Sequence, residues 1–225
     1  FSFEDSTGTF ERPYSLCNFT DASEDEMDLV ISTVDGGRAS EYLFHCDLGI
    51  ETRVTGPHGR MVLPEKLPQR LFMFATSVGI APFLPMLEEL KEASAIVNLF
   101  FGVRDRSEFL YADHLLSLSR EWSNFSLMAC YSHEVSNLNV YESLGYVTNF
   151  VDLFKPNPET DHFFLCGNPR MVDDCYGQLK LLGFRAKQVT REKYVFAKKT
   201  KAVSKSALTD EQKKLIAEKL KKYSR

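Results

Sequence analysis

Thr76, Ser77 and Gly79 stand between an unbroken apolar run, Leu71-Phe-Met-Phe74, and a segment in which Leu84, Leu87 and Leu90 recur at helical spacing behind Pro82 and Pro85. Hydroxyls and a glycine at that junction suit an anion, because the first amides of a helix have no intrahelical partner and point past the end of the strand. The turn is a candidate phosphate or dinucleotide cradle, although any α/β crossover shares the pattern. Two more groups lie upstream. Arg12-Pro-Tyr-Ser15 places a guanidinium, a phenol and a hydroxyl within four residues, with Arg12 and Tyr14 on one side of an extended chain. Asp35-Gly-Gly-Arg-Ala-Ser40 is a glycine turn with a serine hydroxyl and exposed backbone donors, which lets a backbone approach a phosphate closely.

Positioning those groups requires a scaffold, and the hydrophobic pattern supplies one. Apolar runs at Leu71–Phe74, Ala95–Phe101, Phe125–Tyr131 and His162–Cys166, with a last strand at Val189–Phe196, alternate with helical segments at 82–92, 111–120, 147–154 and 172–182. That alternation predicts an α/β doubly wound parallel sheet with its ligand crevice beyond the carboxyl ends of the strands. Those ends are Thr76, Gly102-Val-Arg104, Ser132 and Cys166-Gly-Asn168, and they point to one site. Ahead of the sheet, strands at 12–18, 29–34, 50–55 and 61–63, separated by glycine turns and a short helix beginning at Tyr42, predict a small antiparallel β-barrel. The expected division is a barrel domain over 1–66, an α/β domain over 67–198 and a tail over 199–225. In the tail Thr209-Asp-Glu-Gln212 reads as a capping box, with Leu215, Ile216, Leu220 and Tyr223 on one face of a helix that docks on its own acidic body.

Composition narrows the function. The 225 residues are 44% hydrophobic and include 18 Phe and 9 Tyr, enough for real cores. No apolar run reaches the ~18 residues of a transmembrane helix and no secretory pattern opens the chain, which suggests a cytoplasmic protein. The first residue is Phe, so the N-terminus is expected to be processed, trimmed or incompletely represented. Five scattered cysteines, none in C-x-x-C spacing, argue for a reducing compartment and against both a disulfide framework and a built-in plant-type iron–sulfur cluster. No metal-ligand spacing occurs. None of the five histidines, His45, His58, His114, His133 and His162, adjoins a nucleophile motif, which argues against a hydrolase. From Lys198 to Arg225 ten Lys or Arg face Asp210, Glu211 and Glu218, a net +7 that leaves −11 on residues 1–197. The body is acidic, so nucleic acid is not the expected partner.

Taken in order, Arg12-Pro-Tyr-Ser15, Gly37-Arg-Ala-Ser40, Gly56-Pro-His-Gly59, Thr76-Ser-Val-Gly-Ile-Ala-Pro-Phe83, Gly102-Val-Arg104 and Cys166-Gly-Asn-Pro-Arg-Met171 resemble the ferredoxin–NADP reductase superfamily over residues 10–197. The resemblance implies an FAD-binding barrel followed by a nicotinamide-nucleotide domain. Hydride would pass from NADH or NADPH to the flavin, and electrons on to a ferredoxin, flavodoxin or oxygenase-type acceptor that is a separate protein. It implies that Arg12 and the Gly37, Arg38, Ala39 and Ser40 turn hold the FAD pyrophosphate, that Pro13 and Tyr14 lie along the flavin, and that Ser15 hydrogen-bonds near its N5. Thr76 and Gly79 would sit where flavin and nicotinamide meet. Arg104, Ser132, Gly167, Asn168 and Met171 would contribute to the nucleotide site, and Cys166 would approach the nicotinamide. Tyr194, or Phe196, would cover the second flavin face. Ser15, Cys166 and Tyr194 are therefore the expected catalytic residues.

Departures from the family pattern carry expectations of their own. Only eleven residues precede Arg12, fewer than the family barrel usually has, so the natural chain is expected to be longer. Thr-Ser-Val-Gly replaces the commoner Gly-Thr-Gly of the cradle. Ser132-His-Glu134 and Tyr146 stand where arginines for a 2′-phosphate are common, which leans towards NADH. A second reading, a non-catalytic flavin- or nucleotide-binding subunit of a redox complex, stays open.

Overall fold

The computed structural model describes residues 1–18 and 26–194. The tail helix, Phe196 and most of the acidic turn before Asp28 lie outside the described residues.

The larger part is a six-stranded, all-parallel sheet in the order β6-β5-β4-β3-β7-β8. Its strands are β3 (Arg70–Thr76), β4 (Ile96–Val103), β5 (Phe125–Tyr131), β6 (Glu142–Leu144), β7 (Asp161–Gly167) and β8 (Val189–Lys193). The chain steps outward from β3 to β6 and then returns to the other side of β3 with β7 and β8. The order thus reverses between β3 and β7, where an open α/β sheet forms its crevice. Continuous apolar runs mark these strands because both faces are covered. Leu71, Met73 and Ala75 point to the side packed by helices α2 (Phe83–Leu90) and α3 (Ala112–Glu121). Phe72 and Phe74 point to the side packed by α4 (Pro169–Leu181) and the turn Val147–Phe150. On that second side Phe72 stacks on Phe163 and Phe74 on Phe100, both with centroids 4.7 Å apart. Each such ring removed from water contributes on the order of 2–3 kcal/mol.

The N-terminal part is a hairpin, β1 (Ser2–Asp5) with β2 (Gly8–Glu11), followed by helix α1 (Arg38–His45). Phe3 and Phe10 pair across the hairpin and form a small core with Ala39, flanked by Phe1, Tyr14, Tyr42 and Leu43. Arg38 ties the helix to the hairpin through a two-pronged contact with Asp5, Nε to Oδ2 at 2.8 Å and Nη2 to Oδ1 at 2.7 Å. The two-part architecture matches the sequence reading, with a difference in the antiparallel part. Of the strands expected at 12–18, 29–34 and 50–55, the structure has only isolated bridges, Leu16 to Leu29 and Ser2 to Arg53, and 61–63 forms none. Alternation predicts which side chains share a face, but a strand needs a paired neighbour for its amides, and here pairing stops after one bridge. The two parts meet at Cys17, which is buried in the α2/α3-side core, with Val30, Met61 and Leu63 packed against it.

Candidate functional site

The crevice is built where β3 and β7 end. Two glycines are required there by close approach. A Cβ on Gly79 would lie 2.5 Å from the Cys166 carbonyl oxygen, and one on Gly167 would lie 2.4 Å from Thr76 Oγ1. Gly167 also has φ +122°, so a side chain would be strained whatever the space. With the turns pressed together, Thr76 Oγ1 accepts a hydrogen bond from the Asn168 amide at 2.8 Å. Asn168 in turn caps α4, its side chain accepting from the Arg170 amide at 2.9 Å, with Pro169 at the first helical position. The helix expected at 82–92 is α2, Phe83–Leu90. A 3₁₀ turn, Ser77–Ile80, intervenes, and the amides of Ala81 and Leu84 bond to Val78 and Ala81 carbonyls rather than pointing into the crevice.

Three distant segments converge beside these turns. Tyr194 follows β8, its amide donating to the Gly167 carbonyl at 2.8 Å. Its hydroxyl lies 2.6 Å from Ser15 Oγ, and the side chain packs against the core cluster that contains Cys166. Burial raises the Tyr194 phenol above its ordinary value, with the Cys166 and Glu192 charges acting in the same direction. Burial likewise pushes the fully buried Cys166 thiol up to about 12, aided by Glu192, so it remains a neutral thiol at physiological pH. Glu192 pairs in register with Cys166 across β7 and β8 and is half-buried. Its carboxyl is raised by desolvation. Sequence reading passed over Glu192 because an acid in an edge strand looks like a solvated face. The available signal was its spacing two residues before Tyr194, which puts both on one side of an extended segment.

The other expected site residues divide. Arg12 and Pro13 are exposed; the Arg12 guanidinium donates to the neighbouring Glu11 carbonyl at 2.6 Å and presents its remaining donors outward. Tyr14 is half-buried against Phe1 and Phe3, edge-on at 5.9 and 6.4 Å. Gly37 precedes α1 without a side-chain cap, which leaves first-turn amides of Arg38, Ala39 and Ser40 for an outside acceptor. The Arg38 guanidinium does not join them: Asp5 and the Gly8 carbonyl occupy it, and it stacks over Phe10 at 4.3 Å. Ser40 Oγ accepts from the Val34 amide at 2.8 Å and retains its proton for donation. Met171 is buried in the α4-side core rather than in the crevice. Arg104 and Ser132 lie at the ends of β4 and β5, away from Cys166.

As a donor set, Arg12, the uncapped α1 turn and the Ser40 hydroxyl fit a pyrophosphate, and the Tyr14, Ser15, Cys166 and Tyr194 group fits a flat heteroaromatic ring edge. Comparison with known proteins agrees. An oxidoreductase FAD-binding domain family matches residues 3–63, and an oxidoreductase NAD-binding domain family matches residues 73–176. The chain is 30% identical over 173 residues to ferredoxin–NADP reductase B of Sorangium cellulosum, an alignment covering 73% of this chain and 70% of that protein. It is also 30% identical over 174 residues to the reductase component of propane 2-monooxygenase of Mycolicibacterium smegmatis, covering 74% of this chain and 49% of that one. The chain thus spans about half the length of the second relative. Among solved structures, a ferredoxin NADP+ reductase from Neisseria gonorrhoeae with bound FAD and NADP superposes with a TM-score of 0.64 at 25% identity, covering 85% of this chain and 83% of that one.

Proposed function

The chain belongs to the ferredoxin–NADP reductase superfamily, and from that premise we propose that it is an FAD-dependent NAD(P)H oxidoreductase whose electrons leave to a separate carrier or oxygenase component. One observation carries the reading. Ser15 and Tyr194 are 179 residues apart in the chain, yet the Tyr194 hydroxyl sits 2.6 Å from Ser15 Oγ while Tyr194 packs against the core that holds Cys166, next to the switch point of the sheet. What a flavin supplies there when bound is the exchange of a hydride for single electrons. This chain's residues do the rest. Arg12 and the first turn of α1 would hold the pyrophosphate, Tyr14 would pack along the flavin, and Tyr194 would cover its ring. The small neutral thiol of Cys166 leaves room for a nicotinamide ring without a competing charge. Ser15 and Tyr194 would exclude water from the meeting point, where Glu192, its carboxyl raised by desolvation, lies in register with Cys166.

The reading divides the chain into a flavin part over 1–66, a nucleotide part over 67–198 and the tail. A separate acceptor follows from the chemistry of the monooxygenase reductase relative, a component of a larger system by name. Among the described residues no helix is long and apolar enough to cross a membrane, and the scatter of the five cysteines, none in C-x-x-C spacing, supports a reducing compartment such as the cytoplasm.

The test is the absorption spectrum of the purified full chain before and after anaerobic addition of NADH or NADPH. Bound FAD that bleaches with either nucleotide is expected. A protein that takes up FAD but is reduced by neither is a binding subunit, and one that refuses FAD removes the reading altogether.

A further inference from the structure

We propose that the nucleotide crevice selects the 2′-hydroxyl of NADH and rejects the 2′-phosphate of NADPH, because both arginines at its adenosine end are already held by carboxylates of the same chain. The inference rests on the reductase reading for the direction in which the nucleotide lies. With the nicotinamide at Cys166 on β7, the rest of the molecule must run along the carboxyl edge of the sheet. Beyond β7 in one direction there is only the edge strand β8. In the other lie β3, β4 and β5. Neighbouring strands are about 4.8 Å apart, so three steps from β7 carry an extended dinucleotide roughly 14 Å, which brings its adenosine ribose over the ends of β4 and β5. These ends are knit together: the Ser132 and His133 amides donate to the Val103 and Arg104 carbonyls at 3.0 and 2.9 Å.

A ribose 2′-phosphate is a dianion and needs a cation with donors to spare, for which an arginine fork is the usual solution. Across residues 102–109 and 131–146 the sequence holds Arg104 and Arg106 and no lysine. Arg106 has four of its five N–H donors engaged. Its Nε and Nη2 donate to the two oxygens of Glu142 at 2.8 and 2.6 Å, Nη2 also reaches the Asn137 carbonyl at 2.7 Å, and Nη1 reaches the Ser136 carbonyl at 3.2 Å. Arg104 is exposed, but its guanidinium forms an ion pair with Glu108, whose other oxygen accepts from the Arg104 amide at 3.3 Å. Of the other titratable groups of the edge, Asp105 and Glu134 are acidic and His133 is an imidazole, so with Glu108 and Glu142 set against Arg104 and Arg106 a 2′-phosphate meets net negative formal charge, histidine counted neutral. A 2′-hydroxyl, by contrast, is a donor that carboxylates accept.

Titration of the full chain with ADP-ribose and with 2′-phospho-ADP-ribose, followed by calorimetry, reads this directly without turnover. ADP-ribose is expected to bind at least about tenfold more tightly. Glu108→Gln, a surface change remote from the flavin, releases Arg104 and should tighten 2′-phospho-ADP-ribose about fivefold or more while leaving ADP-ribose unchanged. Equal or tighter binding of the phosphorylated ligand by the unaltered chain overturns the inference and leaves the reductase reading intact. A Glu108→Gln chain with no gain shows that Arg104 is not at the adenosine end, which also overturns it. Failure of both ligands to bind would instead strike the nucleotide site itself.

Discussion

The two parts of this molecule are stabilised on different principles. In the parallel sheet the central strands are sealed on both faces, and Leu71, Met73, Phe74, Leu99, Phe101, Phe163 and Leu165 have no exposed surface. In the N-terminal part the core is Phe3, Phe10 and Ala39, while Met27, Phe44, Leu48 and Val62 are exposed to solvent. The sheet therefore draws its stability from its own interior. The hairpin and α1 depend on contacts made outside that small cluster, at the seam of Cys17, Val30, Met61 and Leu63. The catalytic group of the proposed function straddles this boundary, since Ser15 comes from one part and Cys166 and Tyr194 from the other. A flavin held mainly by the weaker part would be positioned by the stronger one.

The largest expected effect tests this contrast at its centre. Phe74 lies between Phe100 at 4.7 Å and Phe163 at 5.8 Å, so Phe74→Ala should cost about 3–5 kcal/mol in chemical denaturation. Leu48→Ser, on the exposed side of the N-terminal part, should shift stability by no more than about 0.5 kcal/mol. Comparable losses from the two substitutions would mean that the N-terminal surface is covered in solution and would break the contrast.

What the sequence revealed follows the same line. Four of the six sheet strands, β3, β4, β5 and β7, were legible because burial on both faces writes a continuous apolar run into the chain; the edge strand β8, Val189–Lys193, was placed without one. β6 was not legible: it is three residues long, and its Glu142 reads as polar loop until Arg106, 36 residues earlier, is seen to neutralise it. In the N-terminal part alternation located Leu16, Leu29 and Arg53 as extended but could not supply their pairing, and the β1–β2 hairpin went unnoticed because its turn, Asp5-Ser-Thr-Gly8, is followed by only a four-residue strand. At the candidate site, ordered motifs singled out Ser15 and Tyr194, two residues far apart in the chain that the structure brings within 2.6 Å of each other. Nothing local announces that Asp5, 33 residues away, captures the Arg38 guanidinium, so that of the 37–40 turn only backbone amides and the Ser40 hydroxyl face outward for a ligand.

Those two arginine–carboxylate pairs offer a finer comparison. Glu142 is 2% exposed and accepts from Arg106, the Tyr131 hydroxyl and the Asn139 amide, which together hold its carboxyl at about 2 instead of 4.5. A carboxyl depressed in the folded state adds stability at pH above its unfolded value, and that stability is lost as pH falls through the folded one. The thermal midpoint should therefore fall steeply between about pH 4.5 and pH 2. Glu142→Gln should be destabilised at pH 7 and lose much less across that window. Asp5→Asn, at a pair open to water, should barely move the midpoint at any pH. If Asp5→Asn also flattened the acid limb, the N-terminal pair would matter as much as the buried one, and the contrast would be wrong about where electrostatic stability resides.

The smallest effect concerns the backbone. All four non-glycine residues with positive φ among the described residues, Ser77, Tyr111, Asn137 and Lys155, follow residue 70, whereas the left-handed turn positions of the N-terminal part, Gly8, Gly36, Gly49, Gly56 and Gly59, are all glycine. Strained conformations persist only where surrounding packing over-determines them, so this distribution repeats the contrast in dihedral angles. Ser77 is exposed at φ +51°, immediately after Thr76 at the mouth of the crevice. Ser77→Gly relieves strain worth about 1 kcal/mol but frees the unfolded chain by somewhat less, for a net gain of about 0.5 kcal/mol. Gly36→Ala is the mirror experiment: φ is +66° and a Cβ would meet nothing within 4 Å, so the whole cost, about 1 kcal/mol, is conformational. Denaturant midpoints moving in opposite directions would confirm that the sheet carries strain which the N-terminal part avoids. A loss at Ser77→Gly would mean that the serine is favoured there by a contact of its hydroxyl, and the crevice mouth would then be a fitted surface rather than a strained one.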